Sequence, residues 1–216
     1  MDTLIAPSLV DYVTAHSTPP DEVLRDLADA TRLAAGDAAR MQVSADQGAL
    51  LTLLTRLTGA RRAVEVGVFT GYSTLCIARG LAPGGRLLAC DVSAEWTAVG
   101  QPFWARAGVA ERIDLRLAPA LATLRALPHD ADLDFAFVDA HKPEYPDYYA
   151  EIVPRLRPGG LIVLDNMFLG GRVLEADRTD AQTTAVRTLN ATIAADDRVD
   201  AVLLPVRDGV TVARRR

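Results

Sequence analysis

Val64-Glu65-Val66-Gly67-Val68-Phe69-Thr70-Gly71-Tyr72-Ser73 runs from an apolar, β-branched stretch through a glycine turn into a helical pattern over residues 73–79. Glycine at a strand exit permits a tight turn and a close ligand approach, and the helix start offers free N–H groups. The spacing Gly-x-x-x-Gly, with Glu65 ahead of it, differs from the Gly-x-Gly-x-x-Gly fingerprint that seats a dinucleotide pyrophosphate. With Phe69 and Tyr72 in the turn, the phosphate cradle is absent, and an acid beside the loop favours a cation or a ribose. Glu65 lies inside an apolar run and so requires a specific partner.

Asp91 ends the next apolar run, where an acid grips ribose hydroxyls in doubly wound nucleotide folds. An adenosine-bearing cofactor without a pyrophosphate satisfies both facts, and S-adenosylmethionine is such a molecule. Apolar β-prone runs recur at residues 62–66, 86–90, 113–117, 133–138 and 161–164, separated by helical patterns. Runs that are apolar throughout and spaced by helices indicate parallel strands covered on both faces. Two further strands, at 201–204 and 210–213, flank the turn Arg207-Asp208-Gly209 and are expected to form an antiparallel hairpin. The fold class is therefore α/β, an open, doubly wound, mostly parallel sheet.

The 216 residues are half apolar, which suits one domain, with residues 1–40 as accessory helices and 41–216 as the core. Thr18-Pro19-Pro20-Asp21 separates two N-terminal helices, with Asp21 capping the second. Ser44 followed by Gln47 reads as a capping box that opens the apolar stretch 49–57. A net charge of −5 opposes nucleic-acid binding, which depends on clustered cations, and Arg214-Arg215-Arg216 reads as a solvated tail. No apolar run approaches the roughly 20 residues of a membrane span, and the start Met1-Asp2-Thr3 lacks a basic leader. A cytoplasmic location, without membrane or nucleic-acid partners, is expected. Cys76 and Cys90, in apolar settings, read as buried free thiols.

Lys142 is the only lysine in the chain; every other one of its 23 basic Lys and Arg residues is Arg. An ammonium can give up its proton near neutral pH, whereas a guanidinium effectively cannot. Lys142 follows closely on Asp139, which ends the run 133–138, and Asp165-Asn166 ends the run 161–164. If those strands are neighbours, their tips lie about 5 Å apart and both acids face one crevice. Carboxylates so placed repel unless a cation lies between them. Asp139, Asp165 and Asn166 supply oxygens with no His or Cys, a set that favours a hard ion, Mg²⁺ above Mn²⁺ or Ca²⁺. Lys142 beside it is a candidate general base. His141 is left as a contact to an adenine or as a plain loop residue, and is not assigned to the metal.

Trp96, Phe103 and Trp104 fall in one helix and read as core or cofactor-flanking packing. Tyr145, Tyr148 and Tyr149 read as packing, with substrate or subunit contacts as the other possibility. The N-terminal helices and the loop 167–179, with Gly170-Gly171, are expected to frame an acceptor pocket.

The segments 64–73, Ala89-Cys90-Asp91, Phe137-Val138-Asp139-Ala140-His141-Lys142 and Leu164-Asp165-Asn166 together resemble the class I S-adenosylmethionine-dependent O-methyltransferases. The likeness is to their cation-dependent group, which includes caffeoyl-CoA and catechol O-methyltransferases. The resemblance implies a Rossmann-like methyltransferase fold of seven strands with one reversed. It also implies a methyl-donor site formed by Val43, Glu65, Gly67, Val68, Ser73, Asp91 and Ala120. Asp139, Asp165 and Asn166 would hold the cation, Lys142 would be the base, and two copies would pair as a homodimer. His141 stands where plant-type members carry an acid, and Gly170 where caffeoyl-CoA enzymes carry a substrate-contacting Asn. The expected activity is methyl transfer from S-adenosylmethionine to a phenolic hydroxyl of a small catechol-like molecule, assisted by a divalent cation.

Two rivals stand beside it. A nicotinamide-dependent oxidoreductase is opposed by the missing fingerprint glycine and by the Asp139/Asp165 pair. A non-catalytic cofactor-binding module has no need of an intact Lys142 and a full set of metal donors.

Overall fold

β1 (Arg62–Val66) is the centre from which the sheet grows, since its apolar residues face helices on both sides. A computed structural model of the protein describes residues 6–130 and 132–216. The elements before β1 are α1 (Pro7–Ala15), α2 (Glu22–Ala35) and α3 (Ala45–Leu57). After it come α4 (Tyr72–Gly80), β2 (Arg86–Asp91), α5 (Ala94–Arg106), β3 (Ile113–Leu117), α6 (Ala120–Arg125) and β4 (Leu133–Val138). α7 (Tyr145–Ile152), β5 (Leu156–Leu164), α8 (Ala181–Ala195), β6 (Val199–Leu204) and β7 (Val210–Arg215) complete the chain.

The seven strands lie in the order β3-β2-β1-β4-β5-β7-β6. All pairings from β3 to β5 are parallel, and β7 alone runs against its neighbours β5 and β6. This is the expected mostly parallel doubly wound sheet with one reversed strand. Alternation of side chains along each strand divides the core in two. Val64, Val66 and Ala136 pack on Tyr145, Tyr149 and Ile152, whereas Ala63, Phe135 and Phe137 pack with Leu75, Ile77 and Trp104. Leu27 of α2 belongs to the second cluster.

Asp21 caps α2, accepting from Leu24 N at 3.0 Å. Cys76 and Cys90 are both buried and free. Among the described residues no helix is long and apolar enough to cross a membrane. The start Met1-Asp2-Thr3 lies outside the described residues.

Three local expectations are corrected. Ser44 occupies the N-cap position of α3, but its side chain makes no capping hydrogen bond, and Gln47 is buried instead of reaching back to the cap. Asp46 beside it is drawn into an ion pair with Arg207 on the far side of the chain. β5 begins at Leu156, not 161, and crosses Pro158-Gly159-Gly160 with a register shift against β4. Arg214 and Arg215 are not a free tail. They extend β7, where Arg214 pairs with Leu161, and the Arg214 and Arg216 side chains reach Asp200.

Candidate active site

The glycine turn after β1 is pinned on both sides. Gly67 N donates to Cys90 O at 2.9 Å and Asp139 N donates to Val66 O at 2.8 Å, so the exits of β2, β1 and β4 meet there. Gly67 has φ +93°, and a Cβ at that position would lie 1.9 Å from Asp139 O. Only glycine fits such a contact. Phe69 adopts φ +50°, a conformation that a bulky residue holds only when its surroundings impose it. Asp91 is part of that imposition: its Oδ2 accepts from Val68 N (2.8 Å) and Phe69 N (2.9 Å), and its Oδ1 from Ser93 N (2.8 Å). Each carboxylate oxygen can accept two hydrogens, which leaves Oδ1 of Asp91 one further bond for a ligand hydroxyl.

Glu65 is fully buried. Ser73 Oγ donates to its Oε1 at 2.5 Å, while Oε2 has no partner. Burial pushes this carboxyl up to about 8, and the negative charges of Asp139 and Asp91 add to the rise. A buried carboxyl with one orphaned oxygen calls for a donor or a positive charge from outside the chain.

The parallel pairing of β4 and β5 brings Val138 opposite Leu164, so Asp139 and Asp165 leave adjacent strands side by side. Asp165 N donates to Val138 O at 3.0 Å. Asn166 turns sharply at φ +57° and donates its N–H to Asp165 Oδ1 at 2.7 Å. Lys142 Nζ lies 2.9 Å from Asp139 Oδ1, and the lysine side chain is only 12% exposed. Asp165 is 2% exposed. Burial raises its carboxyl above the ordinary carboxylate range, and the charge of Asp139 raises it further; Lys142 and Gln47 pull it down only in part.

Among the described residues no three His, Cys, Asp or Glu side chains gather as a metal group. The set here is two carboxylates and one carboxamide. Its donors are all hard oxygens, and its inner carboxyl is short of positive charge. These residues fit a divalent cation of the Mg²⁺ kind.

A cleft of about 810 Å³ opens over these strand ends. Gly67, Val68, Ser73 and Asp91 line it from the exits of β1 and β2. Asp139, His141, Lys142 and Asn166 line it from β4 and β5, with Ala120 from α6 and Val43 from the segment before α3. Glu65 and Asp165 stand behind this lining, buried.

Trp96 lines the cleft rather than the core, tilted against Phe69 with ring centroids 5.3 Å apart. Gln182 of α8 also reaches the cleft, and no spacing in the sequence announces it. Of the two parts of the expected acceptor frame, the loop 167–179 is turned to another partner and α2 borders the cleft. Residues 167–179 do not line this cleft: Phe168 N and Gly170 N donate to Asp208 instead, tying that loop to the β6–β7 turn. The N-terminal helix α2 lines an adjoining cavity of about 630 Å³ that shares Gln42, Val43 and Tyr72 with this cleft.

Replacing Asp91 by Ala removes charge-assisted bonds to two loop amides, each worth about 1.5–3 kcal/mol. Donor affinity is expected to fall by at least about tenfold with divalent-ion affinity unchanged. Calorimetric titration of both ligands checks this; the reverse pattern would contradict the assignment of this end of the cleft.

The O-methyltransferase family model matches residues 14–216. Among curated relatives, tricin synthase 1 of Oryza sativa subsp. japonica is 41% identical over 188 residues, covering 81% of this chain and 75% of the relative. The probable caffeoyl-CoA O-methyltransferase 2 of Dictyostelium discoideum is 36% identical over 209 residues, covering 95% of this chain and 90% of the relative. The solved structure of the O-methyltransferase TomG from Streptomyces achromogenes, in complex with SAM, matches with a TM-score of 0.87 at 36% identity, covering 96% of each chain. The glycine turn, the buried acid beneath it and the paired strand-tip carboxylates are thus carried by a chain that belongs to the O-methyltransferase family.

Proposed function

We propose that this protein transfers a methyl group from S-adenosylmethionine to a phenolic hydroxyl of a small catechol-like molecule, with a divalent cation held by Asp139, Asp165 and Asn166. Mg²⁺ is the preferred ion, with Mn²⁺ or Ca²⁺ as substitutes. The observation that carries this reading is the meeting of two strand-tip acids with the chain's only lysine. The SAM in the TomG complex and the names of the caffeoyl-CoA relatives support the donor and the phenolic acceptor.

The donor supplies a methyl carbon made electrophilic by its sulfonium. Glu65 and Ser73 lie below the donor end of the cleft, where a buried carboxyl with a free oxygen attracts a cationic group. Asp91 holds the loop 67–69 in shape and offers its remaining lone pair to a ribose hydroxyl. Asp139, Asp165 and Asn166 would hold a divalent cation, whose positive charge would offset the Asp139–Asp165 repulsion and make the hydroxyls of a vicinal diol more acidic.

Lys142, drawn less strongly to Asp139 under those conditions, would act as the neutral amine, its Nζ lone pair taking the phenol proton to give the ammonium. Trp96 and Phe69, packed together, supply an apolar aromatic stretch of the cleft lining. The chain's contribution is alignment, desolvation and one proton acceptor. We further propose a cytoplasmic homodimer, on the free buried thiols and on apolar side chains left exposed at Leu9, Tyr12 and Val202; sedimentation would detect a monomer at once.

The direct test is labelled methyl transfer to a panel of catechols, caffeoyl esters, flavonoids and simple monophenols, with and without Mg²⁺. Methylation confined to vicinal diols and dependent on Mg²⁺ is expected. Equal, ion-independent transfer to monophenols would overturn the reading.

A further inference from the structure

Tyr145 opens α7 and is completely buried. Its hydroxyl lies 3.2 Å from Val138 O and 3.1 Å from Asp165 O, the carbonyls at the tips of β4 and β5. The single phenolic proton is therefore shared between two backbone acceptors, and the oxygen's lone pairs face elsewhere. One of them accepts a hydrogen bond from Lys142 Nζ at 2.5 Å. The same ammonium sits 4.4 Å from the centroid of the Tyr145 ring. With its own hydrogen committed to those carbonyls, the phenol oxygen takes the bond from Lys142 as an acceptor.

We propose that Tyr145 is a positioning residue that anchors the Lys142 amine and turns its lone pair toward the cleft. This rests on Lys142 being the base proposed above.

A lysine side chain gives up much rotamer freedom when it is fixed, and its bond to Asp139 is conditional. That carboxylate is shared with a cation when one is present. Tyr145 is neutral, and its oxygen is pinned by two main-chain carbonyls, so its hold on Nζ does not depend on the state of Asp139. Stereochemistry supplies the direction. Because Tyr145 offers only a lone pair, Lys142 must point an N–H at it, and the amine lone pair of the neutral form is left for the open side. Lys142 lines the cleft on that side.

Lys142 being the chain's only lysine, protein grown on isotopically labelled lysine gives a single ε-CH₂ signal. In the wild type this signal is expected to relax as an ordered side chain and to show magnetisation transfer to the Tyr145 ring. Tyr145→Phe keeps the ring and removes only the hydroxyl. It is expected to mobilise the lysine and to lower kcat by about 10- to 100-fold, the cost of a misplaced reacting group, with donor affinity unchanged.

A lysine as ordered in Tyr145→Phe as in the wild type overturns the proposal, as does a mobile lysine with undiminished kcat. Should Tyr145→Phe not fold, the wild-type spectrum decides: a mobile ε-CH₂ without the ring contact overturns the anchor, and an ordered one in contact supports it. A Lys142→Met enzyme separates the two ideas. If it retains activity, the base reading falls and the anchor's catalytic purpose with it; a slow Lys142→Met beside a fast Tyr145→Phe overturns the anchor alone.

Discussion

Lys142→Arg is expected to lower kcat by at least about 100-fold, the lower range for loss of a general base, although it leaves the formal charge of the site unchanged. An arginine can still span the 2.9 Å contact that Lys142 Nζ makes with Asp139 Oδ1. It would also fill the volume over the Tyr145 ring. What it cannot do is deprotonate, since a guanidinium stays charged at any accessible pH. The substitution thus separates two roles that the structure leaves superimposed, a counter-ion for Asp139 and a proton acceptor for the phenol. Steady-state kinetics at saturating donor and ion decide between them, and a near-native rate would reduce Lys142 to the first role.

Removing the divalent ion is expected to abolish turnover while leaving the fold in place. The fold's integrity rests on the two apolar clusters that sandwich the sheet, neither of which includes Asp139 or Asp165. Chelator-treated protein should therefore keep its circular dichroism spectrum, and activity should return when Mg²⁺ is added back. The ion should also raise the melting temperature, because a ligand that binds only the folded state stabilises it by mass action. The physical source is Asp165, whose carboxyl is held up by burial and by Asp139 and gains from any cation placed between the two. Full activity in excess chelator would remove the ion from the mechanism.

Much of this site was readable before any coordinates. The run 133–138 is apolar apart from Asp134, and a strand followed by an acid reads the same way in sequence as in space. The adjacency of β4 and β5 followed from the tendency of successive parallel strands to pair. Membership in the O-methyltransferase family also agrees with the reading of the glycine turn against a dinucleotide fingerprint, and leaves the nicotinamide rival without support.

What escaped the sequence shares one cause. Gln47 looks like half of a capping box, yet tertiary packing turns its carboxamide toward Asp165, where it favours the charged carboxyl without reaching hydrogen-bond geometry. Pro158-Gly159-Gly160 hides the first half of β5 behind residues that ordinarily end strands. Arg214 and Arg215 look like a soluble tail because the ladder that holds them, between β5 and β6, is formed by residues distant in sequence. The loop 167–179, expected at the acceptor pocket, is claimed by Asp208. Local pattern decides an element's type, and long-range partners decide its length and the direction of its side chains.

The central claim is that Asp139, Asp165 and Asn166 together grip one divalent ion beside Lys142. Soaking crystals of the protein with Mn²⁺ and S-adenosylmethionine and recording anomalous difference density tests it without recourse to activity. A single peak about 2.2 Å from oxygens of all three side chains, with Lys142 Nζ facing the open side of the cleft, is the predicted result. Density elsewhere, or none at an ion concentration that supports turnover, would contradict it.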